Sequence, residues 1–241
     1  MSILKVDNSR LQLPPNWMSR QIGGGGGIAS EAEVRKSLGD AVPRLADLAR
    51  LSPQLLAMFG KGGVLERIRK KLATLSRKSG RRILAAHNTV AAVDADDDLY
   101  VGVEFLQACA GNEDIIAGIM AHEWGHMTSD LPRDADWSEF SWDELFEMRR
   151  DEEASADAYA GRALYKMAYD VEPLVGFLSQ LDRNRKNAER IKSLKYYSVE
   201  TRAAILREAY AAERRLAHSA RKLFTNAVYQ HPSASQLIIV G

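Results

Sequence analysis

The chain has 241 residues, 46% of them hydrophobic and 27% charged, with a formal net charge of +1. That length suits one large domain or a domain with an appended arm, and that apolar content is enough for a substantial core. Near-neutrality gives no reason to expect nucleic acid or an acidic membrane surface as a partner, and the single cysteine, Cys109, excludes an intramolecular disulfide framework. No run approaches the roughly 18 apolar residues that a membrane-spanning helix requires. Met1–Asp7 lacks the charged-then-apolar pattern of a signal peptide, so the cytoplasm is the expected location.

Residues 1 to 28 read as an irregular arm. It carries Pro14-Pro15, scattered apolar residues at Leu11, Leu13 and Trp17, and five consecutive glycines, Gly23–Gly27, which form a hinge. Residues 29 to 230 form the expected domain. Ser30-Glu31-Ala32-Glu33 has the form of a capping box and opens a helix. A further helix is expected over Val64–Arg77, with Val64, Ile68, Leu72 and Leu75 on its apolar stripe. Arg82–Ala86 and Leu99–Val103 read as strands, with Asn88–Val93 as a third, and Asp94–Asp98 between them as a solvated turn. From Asn112 to about Tyr229 nearly everything reads as helix, with no internal repeats. The tail, residues 231 to 241, ends in the β-favouring run Leu237-Ile238-Ile239-Val240. The expected class is therefore mainly α with a small β-sheet, an α+β fold.

His122-Glu123-Trp124-Gly125-His126 is the most informative stretch. Asn112 is a suitable cap, Glu113 and Asp114 suit a first turn, and the apolar run Ile115–Ala121 carries the helix into the motif. Positions i and i+4 sit one above the other on a helix, so both imidazoles can share one metal ion. Glu123 lies one step around the same face, within reach of a water on that metal. Trp124 points away and reads as packing. The plain alternative is a solvated helix, but that leaves three polar groups without purpose at the end of a core-like run.

Catalytic zinc typically takes three protein ligands and keeps a fourth position open. Glu153 and Asp157, again i and i+4 on an alanine-rich helix, offer the third ligand and a carboxylate for the free ring nitrogen of a ligand histidine. Glu152 is the rival ligand, and Arg149–Glu153 taken alone is a charge run of the usual solvated kind.

H-E-x-x-H followed by E-x-x-A-D, here His122–His126 and Glu153–Asp157, resembles the gluzincin metallopeptidases of the HtpX heat-shock protease and CAAX prenyl endoprotease family. Leu99–Leu106 with Asn112–Asp114 is similar to that family's strand and acidic helix start. Asn88–Val93 is similar to its substrate-binding edge strand, and Ser198–Arg202 to the end of its His-Pro-Ser-x-x-x-Arg element. The likeness covers about residues 82 to 210. Without membrane helices the chain is more similar to the small minigluzincins. The resemblance implies a zincin-like fold, one Zn2+ held by His122, His126 and Glu153, and Glu123 as general base. It also implies a peptide or protein substrate lying extended along Asn88, Thr89, Val90 and Ala91. Tyr196-Tyr197 stands where the family has His-Pro, which leaves Tyr196 and Arg202 as the candidates for stabilising the oxyanion.

The expected activity is thus a zinc endopeptidase. A catalytically silent zinc module that grips extended peptides is the alternative, and a metal hydrolase acting on another bond is a third. Docking of the tail 231 to 241, or of residues 11 to 20, on the edge strand would make the enzyme latent. His87 and His231 are weaker candidates for the cleft, and Cys109 is expected to be a small buried residue.

Overall fold

The computed structural model describes residues 43–78, 82–94, 96–109, 111–128, 141–183 and 196–230. The glycine hinge, the Ser30 capping box, His231 and the C-terminal tail lie outside these residues, as does any test of latency.

A four-stranded mixed sheet stands against a set of helices, as the expected α+β class requires. Strands β1 (Arg44–Leu45), β2 (Ile83–His87), β3 (Ala91–Val93) and β4 (Leu99–Gly102) lie in the order β1-β2-β4-β3. β2 and β4 are parallel, while β1 and β3 pair antiparallel with β2 and β4 in turn. Asp94 closes the turn from β3 to β4. Its Oδ1 accepts from the backbone N–H groups of Asp96 and Asp98, and its Oδ2 from the Tyr100 hydroxyl. The acidic loop is therefore only partly solvated: Asp98 is buried and paired with Arg82.

The expected helix at Val64 is α2 (Val64–Ser76), following α1 (Pro53–Phe59). Its buried stripe is Val64, Leu65, Ile68 and Leu72, whereas Leu75 is exposed. Val103, expected at the end of a strand, instead opens α3 (Val103–Ala108). α4 (Glu113–Met127) is capped as expected, with Asn112 Oδ1 accepting from Asp114 and Ile115 N–H. α5 (Trp142–Met167) starts in a complete capping box formed by Ser141 and Glu144. α6 (Glu172–Arg183) and α7 (Val199–Gln230) complete the described chain.

The core lies where α2, α4, α5 and α6 meet the sheet, around Leu65, Ile68, Ile116, Met120, Trp124, Leu164 and Leu174. α2 also braces the two helices that matter below. Lys78, just beyond its end, donates to the last-turn carbonyl of Met127 on α4, and Lys71 to that of Met167 on α5. Cations there satisfy orphan carbonyls and oppose the negative helix end. Trp124 is fully buried and donates Nε1–H to Ser76 Oγ at 2.8 Å. Two glycines set the helix spacing. A Cβ on Gly125 of α4 would sit 2.8 Å from Ala156 Cα of α5, and one on Gly161 of α5 only 2.3 Å from the Leu206 carbonyl oxygen of α7.

Candidate metal centre

The close α4–α5 contact brings the two sequence motifs face to face. α4 presents His122, Glu123 and His126 from its last two turns, and α5 presents Arg149, Glu152, Glu153 and Asp157. The stripe of α5 that faces the core runs through Met167, Leu164, Ala163, Ala160 and Ala156. Continued backwards at helical spacing it passes through Glu153, Glu152 and Arg149, so packing of the apolar half carries the charged half inside.

His122, His126 and Glu153 each bring a ligand atom within 4.8 Å of one another. His122 Nε2 is 3.1 Å from Glu153 Oε2, and His126 Nε2 is 3.6 Å from Glu153 Oε1. Donors about 2.0–2.1 Å from a tetrahedral zinc are separated by roughly 3.3 Å. The imidazole planes are nearly perpendicular, at 88°, with centroids 4.8 Å apart. All three side chains are largely buried.

The carboxylates of Glu152, Glu153 and Asp157 are buried beside the guanidinium groups of Arg149 and Arg202 and the two imidazoles, an acid-rich environment that favours a cation. Burial alone would raise the pKa of Glu153, but Arg149, His126 and His122 outweigh it and hold the carboxyl well below its ordinary range. Asp157 behaves alike: burial opposes ionisation, and Arg202 and His122 overcome it. Burial pulls His122 down, yet Asp157 and Glu153 together push it up to about 10. Asp157 and Glu153 thus favour a positive charge at His122. The donor set and its charge fit a divalent ion.

Each histidine of the candidate centre has a carboxylate close behind it. His122 Nδ1 lies 2.9 Å from Asp157 Oδ1. That approach is off the N–H direction, since the nitrogen makes no aligned hydrogen bond. His126 Nδ1 lies 3.4 Å from Glu152 Oε1. Each carboxylate is gripped in turn by an arginine. Arg202 donates Nε–H and Nη2–H to the two oxygens of Asp157 at 2.7 and 2.8 Å, and Arg149 Nη1 lies 3.3 Å from Glu152 Oε2. Glu152, weighed above as a rival ligand, stands behind His126 instead of joining the ligand cluster. Glu123 is partly buried, and among the described residues no donor or cation engages its carboxylate.

Arg202 enters from the first turn of α7, with its guanidinium 5.1 Å above the ring of Tyr196. Two of its nitrogens are committed to Asp157, so its contact with the centre runs through that carboxylate and His122. Tyr197 donates to Asp151 on the outer side of α5. Of the expected substrate strand only Ala91 is paired in the sheet. Asn88 sits in a turn with φ 62°, Thr89 Oγ1 donates to the Ala91 carbonyl, and the Val90 carbonyl accepts from Gly102 N–H. β3 is nevertheless an edge of the sheet and lies against α4. His87 pairs with Glu104 through Nδ1 at 2.6 Å, and Cys109 is buried.

Comparison of the chain with protein-family models and with curated proteins finds no match. Among the described residues no helix is long and apolar enough to cross a membrane. The internal stripe of α5 was the legible signal for Arg149 and Glu152, which a charge-run reading of residues 149 to 153 passes over.

Proposed function

We propose that this chain is a zinc-dependent endopeptidase of the gluzincin kind. The observation that carries the reading is the convergence of His122, His126 and Glu153 within 4.8 Å, beside the uncommitted carboxylate of Glu123. A zinc ion held by those three residues would supply Lewis-acid chemistry, polarising a carbonyl and acidifying a water. Glu123, on the same turn of α4, takes the proton from the attacking water and delivers it to the leaving amine. Asp157 and Glu152 lie behind the two imidazoles at Nδ1, where a carboxylate favours the tautomer whose Nε2 is free to face the centre. β3 offers an edge along which an extended peptide can add as a further strand.

A second reading, a zinc-bearing peptide-binding module without turnover, is favoured by one observation. Arg202 spends Nε and Nη2 on Asp157, and its remaining role beside Tyr196 is not that of a ready oxyanion donor.

Elemental analysis of wild type beside Glu153→Ala tests the centre, with about one zinc per wild-type chain and loss in the variant expected. A peptide-library assay with Glu123→Gln then separates the readings. Cleavage by wild type that is lost in a zinc-retaining Glu123→Gln supports the peptidase. Binding without cleavage supports the module. Folded wild type without zinc refutes both.

A further inference from the structure

We propose that Arg149 and Glu152 form a positioning pair that fixes the coordination mode of the metal centre, an inference that rests on the metal-binding reading above. The guanidinium of Arg149 bridges two adjacent carboxylates on its own helix. Nη2 lies 2.9 Å from Glu153 Oε1 and Nη1 lies 3.3 Å from Glu152 Oε2. Occupying Oε1 of Glu153 leaves Oε2, the oxygen 3.1 Å from His122 Nε2, as the donating atom. Glu153 would then offer a bound ion one oxygen, which would favour a low coordination number. Glu152, anchored through its Oε2, brings its Oε1 to 3.4 Å from Nδ1 of His126, a charge contact without an aligned hydrogen bond that tightens on that ring when it binds an ion.

The arrangement mirrors the one at the other ligand. His122 is backed by Asp157 and Arg202, and His126 by Glu152 and Arg149. Arg149 differs in that it touches a ligand carboxylate directly. Its side chain is 5% exposed and that of Glu152 1%, so neither pair is a solvated surface bridge. Lysine cannot substitute fully: one ammonium is a point charge, whereas the planar fork reaches two carboxylates at once.

Co2+ is a suitable probe, because four-coordinate high-spin Co2+ absorbs strongly in the visible and higher coordination weakens that band. Titrating the metal-stripped full chain should give one Co2+ site with an intense band. In Arg149→Gln, Glu153 is released to bind through both oxygens. The band should weaken, and affinity should fall by about 10–100-fold, the usual loss on removing a residue that orients a ligand. Arg149→Lys should recover affinity in part while keeping the altered band, and Glu152→Gln should weaken Co2+ binding with the band preserved. A folded Arg149→Gln with wild-type affinity and spectrum overturns the proposal. If Arg149→Gln does not fold, wild-type affinity and spectra in both Arg149→Lys and Glu152→Gln overturn it equally. No Co2+ binding by folded wild type refutes the metal-binding reading itself, a result distinct from any change among the variants.

Discussion

Replacing Gly125 by alanine separates what the centre needs from what the fold needs. The added Cβ would lie 2.8 Å from Ala156 Cα and 3.2 Å from both the Cβ and the carbonyl oxygen of Ala156. Carbon atoms prefer about 3.5–4.0 Å, so α4 and α5 must part locally by roughly 0.7–1.2 Å. Overpacking of this kind costs about 1–3 kcal/mol. Alanine returns about 1 kcal/mol through its better helix propensity, so the net loss of stability is about 0–2 kcal/mol. The centre fares worse. His122 and His126 flank Gly125 on α4, and Glu153 stands on α5 three residues before Ala156. Their 3.1 and 3.6 Å separations open by a similar distance, against a tolerance of about 0.2 Å in metal–ligand bonds. Gly176 of α6 provides the control, because a Cβ there meets nothing within 4 Å. Denaturant unfolding and Zn2+ titration of both variants give the comparison. Gly176→Ala should keep metal affinity and gain up to about 1 kcal/mol; Gly125→Ala should lose metal affinity by at least about tenfold at modest cost in stability. Wild-type Zn2+ affinity in Gly125→Ala would refute the claim that this contact sets the ligand spacing.

Other consequences follow from the charges. Arg202→Leu strips Asp157 of its cation and should cost about 3–5 kcal/mol by denaturant unfolding; a change below about 1 kcal/mol would show that Asp157 is not held by this pair. In the metal-free protein His122 titrates higher folded (about 10) than unfolded, so its contribution to stability is complete below about pH 6.5. That contribution is lost as pH rises toward 10. The thermal midpoint of the metal-stripped protein should therefore fall across that interval more steeply than that of His122→Asn, and equal slopes would contradict it. Glu123→Gln should retain zinc by elemental analysis while peptide turnover falls by about 100-fold or more; near-wild-type turnover removes Glu123 as the base. Burial pushes the Cys109 thiol up to about 11. The native chain should then react little with a thiol reagent at neutral pH and fully once denatured, and rapid native labelling would place Cys109 at the surface.

Local chemistry was legible without a structure. The cap at Asn112, the i, i+4 pairs His122/His126 and Glu153/Asp157, and the buried side of α2 at Ile68 and Leu72 all follow from periodicity and spacing. Periodicity misjudged elements at their ends. Leu75 continues the stripe of α2 but stands two residues before the αL residue Arg77, where the helix ends and solvent reaches it. Val103 has strand propensity, yet the backbone turns into α3 at Gly102, and its side chain is buried there instead.

By itself, then, the sequence determined which residues share a helix face and which chemistry those residue types allow. Spacing pointed to Glu153 as the metal-facing carboxylate and to Asp157 behind a histidine, but it gave Glu152 no place beyond that of a rival. Glu152 and Glu153 are adjacent in the chain and alike in type. Only the packing of α5 on α4, through the gap at Gly125, sends one into the ligand cluster and the other behind His126. Arg202 likewise carries no local mark of its partner 45 residues away. Its pairing with Asp157 depends on α7 crossing α5 closely at Gly161. Spacing along a chain constrains a residue's own element, whereas burial and charge pairing depend on which other element covers it.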